Sequence, residues 1–301
     1  MRVHVQVPAT SANLGPGFDA LGVALGLHNE VRVSEATRVT VSVEGEGAGL
    51  LPTGEDNVVA RGVRLACEAA GRRLAGCAIQ CVNRIPLSRG LGSSAAAWVG
   101  GLVAGNALLG APLSREALLT LAARAEGHPD NVAAALFGGL TVACGGADGV
   151  VAVPLPVPAA LGWVALVPEV MASTAEARAL LPASVPHLDA VFNVQRVALL
   201  LASLQAGRTE PLREALLDRL HQPYRLRLFP WMSDVAAAAR AAGALGCVLS
   251  GAGPSLLAIV AGDAPAVAEA MEAALRRVGV PGVARVLRVD PVGAQSRVDE
   301  P

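Results

Sequence analysis

The chain of 301 residues contains no lysine, so all 24 of its Lys-plus-Arg total are arginine. A coding bias towards Arg, Ala, Gly and Pro accounts for this composition, but the chemical consequence holds whatever its cause. No ammonium side chain is available to touch a phosphate, form a Schiff base or serve as a general base. A Walker A loop is excluded, because it requires a lysine. Permanent side-chain positive charge at any site comes from arginine, whose planar fork suits carboxylates and phosphates.

Charge excess is also lacking. The formal net charge is −1 and the arginines do not cluster, which excludes a general attraction to nucleic acid or anionic membrane. With 53% hydrophobic and 16% charged residues the chain is globular rather than disordered. The five cysteines (Cys67, Cys77, Cys81, Cys144 and Cys247) form no Cys-x-x-Cys pair. They read as free thiols in a reducing cytoplasm. No apolar run reaches the roughly 18 residues that span a bilayer. The opening MRVHVQVP alternates like a strand rather than a signal peptide. A soluble cytoplasmic protein of one large or two modest domains is expected.

Strand-like and helix-like patterns alternate along the whole length, which is an α+β fold class with mixed strand order. Strands are expected over 3–7, 30–43, 78–85, 138–142, 163–167, 247–250, 255–260 and 283–289. Helices are expected over 57–70, 93–109, 114–126, 131–137, 173–181, 188–206, 210–220, 233–242 and 264–278. The prolines of PLPVPAAL mark a boundary that divides the chain into 1–155 and 156–301. The tail after Pro291 is expected to fray.

Glycine-bearing loops carry the chemistry. In the middle one, PLSRGLGSSAA, a strand runs into Gly90 and Gly92 and a helix starts at Ser93. Glycine lets the backbone approach an anion, and free amides at a helix start favour negative charge. The Ser94 hydroxyl suits Mg²⁺ in the manner of a P-loop Ser or Thr. An ordinary tight strand-to-helix turn explains the same residues. The text Gly90-x-Gly92-x-x-Ala95 also fits a relaxed dinucleotide fingerprint, but it does not sit in the first βα turn and no acidic residue ends the next strand. The early loop, PATSANLGPGFDALG, concentrates Ser11, Asn13 and Asp19 among glycines. Such loops more often bind than merely turn. The late loop, SGAGPS, lies between two apolar strands, and its Gly251 and Gly253 allow close backbone approach.

Together these loops resemble the GHMP kinase superfamily, and the resemblance covers nearly the whole chain. EGHPDNVAAALFGG, STAEAR and HQPYR resemble its branch that phosphorylates L-homoserine, a step of threonine synthesis. The resemblance implies a two-domain fold, with a ribosomal protein S5 domain 2-like N-terminal part and a ferredoxin-like C-terminal part. It implies ATP and Mg²⁺ as cofactors and a possible homodimer. ATP contacts fall on Pro86, Leu87, Ser88, Arg89, Gly90, Leu91, Gly92, Ser93, Ser94, Ala95 and Ala96, and on Gly251 and Gly253. Asn57 falls on the adenine side, although a helix N-cap explains it as well. Ser94 and Glu126 would share the metal. Arg178 and Arg225 would clamp the substrate carboxylate, where surface arginines are the plainer reading. Asp19 would meet its ammonium, Asn13 would orient it, and Thr174 would line the pocket. His128 reads as structural. Arg89 is the nearest cation to the phosphate loop.

Many members place an Asp against the substrate hydroxyl. Depending on the alignment, that position is Asn131 or Asp130. Asn cannot accept a proton, and with Asn131 there catalysis rests on positioning and electrostatics. A kinase for another small alcohol (mevalonate or a sugar) and a non-catalytic binding protein are the competing readings.

Overall fold

Valines and alanines alternating with polar residues make a long antiparallel hairpin of β1 (Arg2–Ala12) and β2 (Leu21–Glu35), in which Arg2 pairs with Ser34 and Ala12 with Gly22. The early loop is its tip. The computed structural model describes residues 1–299. Next comes β3 (Thr40–Gly45), so the strand expected over 30–43 is two strands. The valine alternation runs on through the reversal between them, and no Gly or Pro marks it. α1 (Val58–Ala69) crosses to β4 (Cys77–Asn83), which pairs antiparallel with β2 and parallel with β3.

α2 (Ser93–Leu108) is apolar on every side and is buried accordingly, packed against α1 and β1. α3 (Arg115–Glu126) and α4 (Asp130–Phe137) follow. β5 (Leu140–Gly146) and β6 (Gly149–Leu155) then form a hairpin that joins the sheet beside the start of β2. β6 was not expected from the sequence, because Pro154 and its exposed Val151 and Val153 disguise an edge strand.

A second sheet contains β7 (Gly162–Pro168), β8 (Ala244–Leu249), β9 (Leu256–Val260) and β10 (Gly282–Leu287). Its helices are α5 (Thr174–Ala179), α6 (His187–Gln205), α7 (Leu212–Ala215), α8 (Gln222–Arg225), α9 (Met232–Ala241) and α10 (Ala264–Arg277). The antiparallel order β10-β7-β9-β8, with α9 and α10 as the crossovers, is the ferredoxin-like arrangement. Val164, Leu166, Val235, Met271 and Leu275 are in its core.

The helix expected over 210–220 is a single turn. Asp218 ends it by accepting the amide N–H groups of Leu220, His221 and Gln222 on its carboxylate. The expectation of a frayed tail is also corrected. β11 (Gln295–Asp299) pairs antiparallel with β1 and completes the first, seven-stranded sheet. Asp290 anchors the return, accepting from Gly139 N, donating to Ala24 O and lying 2.6 Å from His28 Nε2.

Candidate active site

The three glycine loops are knitted into one cleft of about 400 Å³. Thr10 N donates to Leu91 O, Gly251 N to Ala12 O and Ser255 N to Arg89 O. The Ser250 hydroxyl lies 2.6 Å from Gly90 O and 2.8 Å from Ser11 Oγ. Gly90 has φ +76°, and a Cβ there would stand 2.3 Å from Ser250 O. Only glycine lets the middle and late loops meet backbone to backbone.

At the start of α2 the cap is Gly92, in the left-handed region with φ +69°, and no side chain caps the helix. Ser93 and Ser94 are therefore inside the first turn rather than at its cap. The first helical bond runs from Ala96 N to Gly92 O. The amides of Ser93, Ser94 and Ala95 have no backbone partner among the described residues, which leaves an anion cradle at the positive end of the helix. Of the loop residues chosen from sequence, Ala95 alone does not line the cleft. Its methyl is fully buried in the core. Arg89 also behaves differently from expectation: its Nε donates to Pro168 O at 2.9 Å, which ties the loop to the end of β7.

Ser94 Oγ donates to Glu126 Oε2 at 2.6 Å. Glu126 ends α3, and Gly127 in the left-handed region turns the chain away immediately after it. Burial pushes the Glu126 carboxyl above its ordinary value, outweighing the Ser94 bond and the charge of His128. His128 Nδ1 lies 2.8 Å from Asp130 Oδ1. Burial opposes its charged form, but the hydrogen bond and charge of Asp130, with Glu126, move its titration upward. Among the described residues no cluster of three or more His, Cys, Asp or Glu could hold a metal unaided. The Ser94 and Glu126 oxygens fit a hard divalent cation that takes its other ligands from phosphates and water.

At the other end of the cleft, Arg178 donates to both oxygens of Asp19, at 2.9 and 2.6 Å. The sequence assigned these two to opposite ends of a substrate, whereas the structure pairs them with each other. Each is about a third exposed (35% and 34%), so the pair offers one cation and one anion to a ligand entering the cleft. Asn13 holds the loop by accepting Asp19 N and donating to Gly251 O, each at 3.0 Å. Both Asn13 and Asp19 adopt positive φ (71° and 56°), backbone strain of the kind concentrated at binding sites. Thr174 opens α5 behind the Ser173–Glu176 capping box and lines the same wall.

Arg225 is not a surface arginine: it is 1% exposed. Nη1 donates to His221 Nδ1 and Gly251 O at 3.0 Å, and Nε donates to Ala177 O at 3.4 Å. No carboxylate pairs with it among the described residues. Burial, with repulsion from Arg178, pulls it down to about 10. His221 is a residue the sequence reading passed over. Its Nε2 faces Gly15 O at 2.8 Å and its Nδ1 accepts from Arg225, so the ring is neutral with the proton on Nε2. Burial, aided by Arg225, lowers its titration accordingly. The only signal in the sequence was the four-residue spacing of His221 and Arg225.

Asn57 caps α1. Its Oδ1 accepts Val59 N at 2.9 Å and its Nδ2 donates to Pro52 O at 2.8 Å. The wall beside it is apolar, made by Val43, Leu51, Pro52, Val58 and Leu87, and offers a slot for a flat ring. Such residues are indistinguishable from core positions in a sequence.

Comparison with known proteins decides the family. Residues 57–139 match the profile of the GHMP kinases N terminal domain, and residues 200–277 match GHMP kinases C terminal. The homoserine kinase of Moorella thermoacetica is 46% identical over 276 residues, which is 92% of this chain and 93% of that protein. The chain belongs to the homoserine kinase family. The homoserine kinase of Gloeobacter violaceus is 48% identical, over 89% of this chain and 91% of that one. The crystal structure of homoserine kinase from Cytophaga hutchinsonii superposes with a TM-score of 0.90 at 33% identity, covering 98% of this chain and 97% of that chain. As a homoserine kinase of the GHMP type the chain is an ATP-dependent phosphotransferase. Among the described residues no helix is long and apolar enough to cross a membrane.

Proposed function

We propose that this chain transfers the γ-phosphoryl group of ATP to the side-chain hydroxyl of L-homoserine, giving ADP and O-phospho-L-homoserine. One observation carries the reading: a cleft with an anion cradle at one end has paired Asp19 and Arg178 beside a buried, anion-free Arg225 at the other. A zwitterion with a terminal hydroxyl matches that arrangement. Its ammonium goes to Asp19 and its carboxylate to Arg178 and Arg225, through charge-assisted hydrogen bonds. Mevalonate has a carboxylate for the arginines but no ammonium for Asp19, and a neutral sugar has neither.

ATP lies with its base in the apolar slot near Asn57 and its phosphates on the amides of Ser93 and Ser94, with Gly251 and Gly253 supporting the loop. Ser94 and Glu126 would hold Mg²⁺, which would neutralise phosphate charge. The homoserine oxygen then bonds to the γ-phosphorus while the bond to the β,γ-bridging oxygen breaks, and the hydroxyl proton passes to the phosphoryl product or to water. Asn131 has no proton-accepting role in this scheme. It orients the hydroxyl, and a loose phosphoryl transition state needs little prior proton removal. Asp130 is engaged by His128 and by Asn131 N through Oδ1. The five free thiols suit a cytoplasmic setting.

A coupled ADP-release assay over L-homoserine, L-serine, mevalonate and galactose tests the reading. Turnover with homoserine is expected to exceed the others by at least about a hundredfold in kcat/KM, a transition-state difference of about 3 kcal/mol. Equal turnover of all four, or none with homoserine, overturns it.

A further inference from the structure

Thr10 is fully buried and does not line the cleft, yet it is bonded to both halves of the reaction site. Its N–H donates to Leu91 O in the phosphate loop at 3.1 Å. Its hydroxyl donates to Asn131 Oδ1 at 2.8 Å. The second bond is covered by the cradle itself: a Cβ on Gly92 would stand 1.9 Å from Thr10 Oγ1 and 3.2 Å from Asn131 Oδ1.

The Asp130 carboxylate sets which way the Asn131 amide faces, and the Thr10 hydroxyl then holds it there. Asn131 Nδ2 lies 3.4 Å from Asp130 Oδ1. Turning the amide over would set its carbonyl oxygen against that carboxylate, where two acceptors repel, whereas the Thr10 hydroxyl serves the observed orientation by donating to the carbonyl. With the carbonyl held by Thr10, the amide N–H is the polar group Asn131 has left to offer the cleft. A donor in that place favours negative charge on an oxygen and cannot take up a proton.

We propose that Thr10 is a positioning residue for phosphoryl transfer: by fixing the Asn131 carbonyl it aims the Asn131 N–H at the reacting oxygens, in register with the phosphate loop. The inference rests on the placement of Asn131 beside the acceptor hydroxyl made above. It explains how a chain without lysine keeps a donor at this point. Ser or Thr is required at position 10, because an aliphatic side chain of equal size leaves the buried Asn131 Oδ1 without a donor and the carboxamide without its anchor on the side away from Asp130.

The test is steady-state kinetics on Thr10→Val, Thr10→Ala, Thr10→Ser, Asn131→Ala and the Thr10→Val/Asn131→Ala double variant, with folding checked by circular dichroism. Both hydroxyl-free variants are expected to lose roughly ten- to a hundredfold in kcat, with KM for ATP and homoserine within about threefold of wild type. Thr10→Ser is expected to recover most of that loss, and the double variant to be no slower than Asn131→Ala. Thr10→Val or Thr10→Ala at wild-type kcat, a serine variant as slow as the valine one, or losses that multiply in the double variant would each overturn the proposal. Wild-type kcat in Asn131→Ala would instead refute the placement of Asn131. Absence of homoserine turnover in the wild-type protein would refute the assigned reaction.

Discussion

Replacing Arg225 with methionine separates the cost of holding this cation from the use made of it. The guanidinium is pulled down from its ordinary value to about 10 because it is buried and faces Arg178. At about 1.4 kcal/mol per tenfold change in proton affinity, the fall corresponds to roughly 3 kcal/mol against the charged form. Against this stand the bonds to His221 and Gly251, each worth about 1.5 kcal/mol because the donor is charged. The unliganded Arg225→Met protein should therefore melt within about 3 °C of wild type, since the two contributions offset. A substrate carboxylate supplies the missing counter-charge, and its loss should cost binding about 3 kcal/mol, or roughly a hundredfold in KM for homoserine. KM for ATP should stay within about threefold, because the phosphate cradle is at the other end of the cleft. ADP-release kinetics with each substrate varied in turn, and thermal melts with and without homoserine, measure both. A homoserine KM raised less than about fivefold, or equal rises for homoserine and ATP, would refute the reasoning.

Glu126→Gln keeps the Ser94 contact but removes the carboxylate charge, so the Mg²⁺ concentration for half-maximal rate should rise at least about tenfold; an unchanged Mg²⁺ titration would place the metal elsewhere. Asp130→Asn should lower kcat by less than about tenfold if no side chain acts as base. A loss of about a thousandfold with both KM values intact would make Asp130 the base. His221 is held neutral below its ordinary 6.5, so the unfolded chain takes up a proton that the folded one refuses as the solution is acidified. Its stabilising contribution is complete above pH 6.5 and falls away below it. The melting-temperature gap between wild type and His221→Asn should narrow between about pH 7 and about pH 5, and a constant gap would contradict the neutral tautomer.

The parts of this protein that were legible in its sequence are those where one residue type has a narrow physical use. Asn57 and Ser114 stand where helix caps are needed, and both accept an amide inside the following turn. Gly90 lies where two backbones meet, a demand that no other residue satisfies. Elements were misjudged where the pattern is ambiguous. Valines on both sides of the β2–β3 reversal keep one period, and QSRVD of β11 carries a single apolar residue because the strand is exposed along its length. The pairing of Asp19 with Arg178, separated by 159 positions, is created by the fold. Thr10 and His221 were hidden for a related reason: each acts through another side chain and neither has a chemistry that its neighbours in sequence disclose.

The return of the chain to β1 has a mechanical meaning. Because β11 closes the sheet that β1 opens, the ferredoxin-like unit is fastened to the first sheet at both of its ends, once through the β6–β7 connection and once through Asp290. The bonds of Gly251 N to Ala12 O and Ser255 N to Arg89 O add a third fastening, so the unit is braced where a single tether would let it swing. The cleft lies along the seam between the two, with Asp19 on one side and Arg178 on the other, so its charged walls are held in register by the frame itself.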